Sequence, residues 1–313
     1  MKNLDLRMDR RGFLAGSVAF ASTLRAAVAL GAPSGAVPRA DFPTEPRERL
    51  SVSTYPFRSV IKSAHRTPEN TNATLTLEEF AASIPSRFEV SGIEPWSPHF
   101  ESTEPEYIHA LNESFKKAGV HVVDIPVDAS VQPCSPDFDR RKASMETWRA
   151  WVDVAVTLGS PSIRVHLPEQ GNQDCVLAVI NRLVEYGTQR RIVVNIENDD
   201  PKSEEAFRVI KVIEQINSPW LHALPDFCNS RLVGDEEYTY RALAALFAHA
   251  FNISHVKDEE SDEGKVYRVD VSRVFAIAKQ AGYRGYFSME WEGRGDPYAG
   301  TKRLLQQSLQ NLS

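Results

Sequence analysis

Eight times between residues 49 and 313, a short apolar run gives way to a longer segment of helical period. The apolar runs fall at 50–56, 92–97, 120–127, 162–168, 191–197, 221–227, 251–258 and 285–292. Helical segments follow at 76–82, 104–118, 136–158, 174–187, 203–216, 235–250, 270–281 and 296–312. Local signals punctuate the pattern. Thr76 and Glu79 form a capping-box start, and Gly119, Gly159 and Gly282 stand where helices stop. Eight strand–helix units of about 30–35 residues predict a single-domain α/β fold, a (β/α)8 TIM barrel over residues 49–313. A doubly wound open sheet is the alternative. It commonly carries a glycine-rich first turn, and no GxGxxG follows the first run.

The fifth run, Arg191-Ile-Val-Val-Asn-Ile-Glu-Asn-Asp-Asp200, shows how such a strand reads. Apolar β-branched residues dominate it, as in a strand buried on both faces, and it then stops in Glu197. An acid at the C-terminal end of a barrel strand lies on the face where barrels keep their chemistry. The sixth, seventh and eighth runs offer Asp226, His255 and Glu290, at successive spacings of 29, 29 and 35 residues. Each spacing is about one strand–helix unit, so the four converge on the barrel axis. Three carboxylates and one imidazole suit a divalent cation of intermediate hardness, Mn2+, Co2+, Mg2+ or Zn2+. The competing reading is a set of separate salt bridges along the rim. Glu292 shares a strand face with Glu290, but Trp291-Glu292-Gly293 already reads as loop. Lys257 lies on the face of His255 by the two-residue strand period, as a substrate contact or as a rim partner of Asp258 or Glu259. His166, Glu94 and Trp96 end the fourth and second runs and are taken as substrate-binding candidates.

The amino terminus stands apart. Asp9-Arg-Arg-Gly-Phe-Leu-Ala15 is a twin-arginine pattern. A weakly apolar run to Leu24 and a small-residue site, Ala27-Val28-Ala29, follow. Residues 1–29 therefore read as a twin-arginine-type signal peptide and 30–48 as a Pro-rich linker, placing the protein outside the cytoplasm, in the periplasm. The apolar run is shorter than the ~20 residues a spanning helix needs, so no stable membrane anchor is expected. The net charge is −6, and loss of the leader removes five basic against two acidic side chains. A surface that acidic repels phosphate backbones, which argues against a nucleic-acid partner. Three cysteines, Cys134, Cys175 and Cys228, are too few for a disulfide framework, and the sequence does not say which pair bridges, if any.

The motifs Ile196-Glu197-Asn198, Asp226-Phe-Cys-Asn229, Ser254-His255-Val-Lys257-Asp258 and Ser288-Met-Glu290-Trp-Glu-Gly293 give the chain a family resemblance. Together with Gly92-Ile-Glu94-Pro-Trp96, they make residues 49–310 resemble the xylose-isomerase-like sugar isomerase and epimerase barrels. That resemblance implies a metal chelating a sugar carbonyl and its neighbouring hydroxyl, with Glu197 and Glu290 as the acid–base pair and as ligands. Asp226 and His255 would complete the coordination. A proton would leave one carbon to give an enediolate and return at the adjacent carbon, or on the other face of the same carbon. The ketose 3-epimerases usually carry His three residues after the strand-six Asp, where this chain has Asn229. Strand seven here shows Lys257-Asp258 in place of an expected arginine. Both departures weaken that particular assignment. The endonuclease branch needs further histidines that strand three, ending in Asp124, does not supply. The expected partner is a small neutral sugar, and homo-oligomers are compatible with the fold. Two other outcomes share the same residues. One is a lyase or deglycosidase acting on 3-keto-glycosides by β-elimination. The other is an exported sugar-binding protein without turnover.

Overall fold

The computed structural model describes residues 37–63, 71–262 and 264–313. The predicted twin-arginine leader and the part of the predicted linker up to residue 36 lie outside the described residues. Gly35–Ser313 form one compact unit.

The predicted eight-unit barrel is present, with every barrel strand parallel to its neighbours. Strand β1 (Leu50–Ser53) pairs with β2 (Gly92–Glu94) on one side and β11 (Tyr286–Met289) on the other. Beyond them lie β3 (His121–Val122) and β8 (Ile253–Val256). The remaining wall runs β4 (Pro126–Val127), β5 (Ser162–Val165), β6 (Val193–Glu197) and β7 (Leu221–Leu224). The third predicted strand is thus two short pieces, β3 and β4. Pro126 lacks the N–H that an unbroken ladder needs. The β7–β8 seam closes through bridges Ala223↔Ala250 and Asp226↔His255. Helices α1 (Leu77–Phe88), α2 (Pro105–Ala118), α3 (Phe138–Leu158) and α4 (Gln173–Arg190) surround the first half. The second half carries α5 (Ala206–Ile216), α6 (Glu236–Phe247), α7 (Val271–Gln280) and α8 (Pro297–Leu312).

The punctuation residues behave as their chemistry requires. Thr76 and Glu79 make the reciprocal capping box, with Glu79 N–H donating to Thr76 Oγ1 at 3.2 Å and Thr76 N–H to Glu79 Oε2 at 2.8 Å. Gly119 and Gly159 cap α2 and α3 in the left-handed region, both at φ 72°. Arg191 is different. It reads as the first residue of strand five, yet it is the left-handed cap of α4 at φ 61°, and the strand begins at Val193. One element has no counterpart in the expected pattern. Strands β9 (Glu259–Asp262) and β10 (Lys265–Arg268) form an antiparallel hairpin between β8 and α7. Both are short and polar, so no apolar periodicity announces them.

The interior below the strand ends is hydrogen-bonded rather than purely apolar. Asp124, Ser162, Asn195 and Asn252 are all buried there. Asp124 accepts from Ser162 Oγ and from Asn195 Nδ2, the latter at 3.1 Å. Asn252 accepts from Asn195 at 3.1 Å and donates to Ser162 Oγ at 2.6 Å. At the N-terminal end of the barrel, Phe42 packs edge-on against Phe251 and Tyr286. A disulfide joins Cys134 to Cys175, linking the loop after β4 to α4. Cys228 is free and buried. No helix among the described residues is long and apolar enough to cross a membrane.

Candidate metal centre

Four strand ends deliver one group each. Glu197 is the last residue of β6, and Glu290 immediately follows β11. His255 lies within β8, bridged directly to Asp226. One ligand atom from each of the four lies within 4.8 Å of the others, and all four residues are buried. His255 Nδ1 is 3.0 Å from Glu197 Oε1 and 3.1 Å from Glu290 Oε2. The other ring nitrogen, Nε2, is 2.9 Å from Glu94 Oε1. Glu94 is fully buried behind the imidazole, so the structure puts it against His255 rather than on an open cavity wall. A carboxylate there fixes the ring's orientation and leaves Nδ1 to face the other three groups.

Asp226 is held by backbone. Its Oδ1 accepts from Cys228 N–H at 2.8 Å and Asn229 N–H at 2.7 Å. Its Oδ2 is buried with no hydrogen-bond partner among the described residues, 3.6 Å from Lys257 Nζ. Asn198 fixes the strand end, accepting from Asp226 N–H at 2.8 Å and donating to the Asp226 carbonyl at 3.3 Å. Two buried cations flank the cluster. Arg164 Nε lies 3.1 Å from Glu197 Oε2, and Lys257 Nζ lies 3.2 Å from Glu290 Oε2.

The electrostatics follow from burial and these pairings. Burial pushes Glu197 up, against the pull of His255 and Arg164. Burial likewise raises Asp226 well above the usual carboxylate range, opposed by Lys257. At Glu290 burial is overcome by His255 and Lys257, which bring it down to about 2. Burial disfavours the charged form of His255, but Glu290, Glu94 and Glu197 hold its pKa well above the ordinary imidazole range. The donor set fits a divalent cation: three carboxylates, an imidazole nitrogen, and one buried carboxylate oxygen lacking a partner. A cation seated there holds all four ligands deprotonated.

The other predicted site residues are placed as follows. Lys257 is buried, on the His255 face as expected. Its neighbours are Glu290, Asp226, Glu292, Glu260 at 3.3 Å and Asn229 Oδ1 at 3.1 Å. Asp258 and Glu259 pair instead with Arg303 and Arg268. Glu292 sits one strand period beyond Glu290, pairs with Lys257, and is pushed up to about 7 by burial. Trp96 is half-buried, its ring edge-on to Tyr55 and His99, and its Nε1–H donates to Asp128 at 2.6 Å. His166 is 36% exposed. It stands 2.9 Å from Asp128 Oδ1 and 3.0 Å from Glu204 Oε2. Burial and Arg164 oppose its charged form, yet Asp128 and Glu204 outweigh them, so His166 is pushed up to about 10. His166, Asp199 and Glu204 form a second cluster, but Arg164 Nη1 sits 2.6 Å from His166 Nε2. A guanidinium at that point weighs against a second cation.

Arg164, Asp128 and Glu204 were not singled out from sequence, and Asn198 and Asn229 were named only as members of the motifs. For Arg164 a signal existed, since it shares a strand face with His166. Asp128 and Glu204 become neighbours only through the fold.

The chain resembles several solved barrels. A 3-keto-D-glucoside 4-epimerase from E. coli superposes with TM-score 0.61 at 13% identity, over 83% of this chain and 98% of the other. A xylose isomerase-like TIM barrel protein from Mycobacterium smegmatis, solved in complex with magnesium, gives TM-score 0.62 at 14% identity, over 84% and 97%. A D-allulose 3-epimerase from Methylomonas sp. in complex with D-allulose gives TM-score 0.63 at 14% identity, over 86% and 98%. At these identities the shared property is the fold. No curated protein matches the sequence. A sequence model described as xylose isomerase-like TIM barrel matches residues 86–312. That span covers most of the chain and reaches from the end of α1 to α8, taking in all four strand ends that build the centre, so the chain belongs to the xylose isomerase-like TIM barrel family.

Proposed function

We propose that the protein is a divalent-metal-dependent sugar isomerase or epimerase that moves a proton on and off a carbon beside a carbonyl. The observation that carries this is the meeting of Glu197 and Glu290, from non-adjacent strands, on the same nitrogen of His255 beside Asp226. Glu197, Asp226, His255 and Glu290 would hold the ion. When bound, it polarises a sugar carbonyl and a neighbouring hydroxyl and so acidifies the adjoining C–H.

The chain's own residues supply the rest. Glu197 accepts the carbon-bound proton, and Glu290 returns one at the adjacent carbon or on the opposite face. Arg164 and Lys257 each steady one of these carboxylates, so neither has to reorganise as charge moves. Lys257, whose three N–H groups are taken by Glu290, Glu292, Glu260 and Asn229, acts on the cluster rather than on the substrate directly. Burial of the whole cluster excludes bulk water from the carbanion-like intermediate. The E. coli neighbour is a 3-keto-D-glucoside 4-epimerase, the Methylomonas neighbour was solved in complex with D-allulose, and the M. smegmatis neighbour was solved in complex with magnesium. The first two support a sugar here, and the third supports a divalent ion. The Cys134–Cys175 disulfide supports an oxidising compartment, in line with export by the twin-arginine leader.

The test is solvent exchange. Neutral ketoses, aldoses and 3-keto-sugars are incubated in D2O with the Mn2+-loaded protein, and deuterium entering a carbon position is followed by NMR. Wild type exchanges at one position of at least one sugar. Glu197→Gln and Glu290→Gln fall by about 10²–10⁴-fold. Absence of both bound metal and exchange in wild type overturns the reading.

A further inference from the structure

A cavity of about 270 Å³ opens beside His166, between the loop after β4 and the loop after β5. It lies at the C-terminal end of the barrel, as does the metal centre. Larger cavities, about 700, 400 and 380 Å³, lie elsewhere; neither they nor this one is lined by the four cluster residues, but this one reaches His166, two contacts from Glu197. The way from the centre to this cavity is short. Glu197 contacts Arg164, Arg164 contacts His166, and His166 forms part of the cavity wall. Two side chains, Arg164 and His166, span the interval.

The lining is informative. Ala129, Val131, Pro133, Trp148, Leu167 and Pro168 supply apolar surface, and neither Arg nor Lys is present. The charged side chains in its lining are Glu169 and His166, and His166 is already engaged by Asp128 and Glu204, so a phosphate or carboxylate finds no unpaired cation there. Cavities of about 150 Å³ already take a benzene ring, so an aryl group fits this one. Its walls are also fixed in advance. The Cys134–Cys175 disulfide ties the first loop to α4. Gln132 N–H donates to Ser144 Oγ at 2.7 Å, and Leu167 N–H to Glu204 Oε1 at 2.7 Å. Gly171, at φ 103°, lets the second loop pass so close that an added Cβ would stand 2.7 Å from Cys134 Cβ. A cavity shaped before its ligand arrives loses less entropy on binding.

We propose that this cavity is a subsite for a flat apolar group attached to the sugar, so that the substrate is a glycoside with an apolar aglycone and a ring carbonyl away from the anomeric acetal, rather than a free monosaccharide. The inference rests on the sugar reading of the metal centre and adds the substrate class. The sugar sits over Glu197 and Glu290, His166 and Asp128 meet its polar edge, and the aglycone enters between Val131 and Leu167.

Binding, not turnover, provides the test, so its failure is distinct from failure of the proton-transfer reading. Phenyl and methyl glucosides and galactosides, in both anomeric forms, are titrated by calorimetry into disulfide-bonded, Mn2+-loaded protein. In at least one matched pair the phenyl glycoside binds at least about tenfold tighter. In Val131→Trp, which fills the cavity, the phenyl-to-methyl ratio for that pair collapses towards one. The ratio persists in Glu197→Gln, which removes the proton carrier and keeps the cavity. A second measurement needs no variant: NMR saturation transfer from protein methyl groups to phenyl glycoside reaches the aryl protons most strongly. Equal or undetectable binding within every pair overturns the proposal. So does a phenyl preference that survives Val131→Trp, or saturation transfer confined to the sugar protons.

Discussion

Glu94 sets its buried carboxylate against the back of an imidazole, and that makes it the most informative single residue. Its carboxylate, 2.9 Å from His255 Nε2, decides which ring nitrogen is free to face the other three groups. Glu94→Gln keeps the shape and removes the charge. We expect divalent-metal affinity to fall about 10–100-fold, measured by competition against a chelating dye, with the circular dichroism spectrum unchanged. His166 carries a prediction of opposite character. Its pKa is raised from 6.5 to about 10 in the folded state. A group so raised contributes stability fully below its unfolded value, and that contribution is lost as pH climbs through the folded value. Urea denaturation should therefore show stability falling between about pH 6.5 and 10, and His166→Gln should flatten that slope. Because the ring is 36% exposed, the effect is smaller than full burial would give.

At the scale of elements, the loop between β4 and α3 depends on a covalent tie. The bridge closes a chain separation of 41 residues. Replacing Cys134 and Cys175 together by Ser should cost about 2–4 kcal/mol of unfolding free energy, read from chemical denaturation under oxidising conditions. Adding reductant to that double variant should change nothing further. This tie also marks where sequence reasoning stops. The strand ends were legible because Glu197, Asp226, His255 and Glu290 recur at the period of the strand–helix unit. Such a period reflects chain length and needs no knowledge of packing. Cys134 and Cys175 carry no period, since their pairing depends on two loops of unrelated length meeting beside Gly171. Asp128 and Arg164 are hidden for the same reason, because a loop acid and a mid-strand base become partners only when β4 lies beside β5. Glu94 was found but read as a substrate contact. The strand period gives the face of a side chain and not its depth, and depth sets it behind His255.

For the whole molecule, the proposed ion would be linked to the fold. The four ligand residues come from strands β6, β8 and the chain ends of β7 and β11, so a cation held by them stitches four of the barrel's staves together. The unfolded chain presents no such site. Mn2+ at about 100 times its dissociation constant should stabilise the protein by about 2.7 kcal/mol, and chelation should reverse this. Differential scanning fluorimetry with and without a chelator checks it, with Asp226→Asn losing most of the response.

Beneath that centre, Asp124, Ser162, Asn195 and Asn252 share four hydrogen bonds inside the barrel. An aliphatic layer tolerates drift one methyl at a time, because each neighbour can settle into the gap. This layer does not. Replace Asn195 with Val, and Asp124 and Asn252 each lose a donor in a place water does not reach. Such a layer is exchanged at least cost as a block, several substitutions at once, because each single step strands a partner.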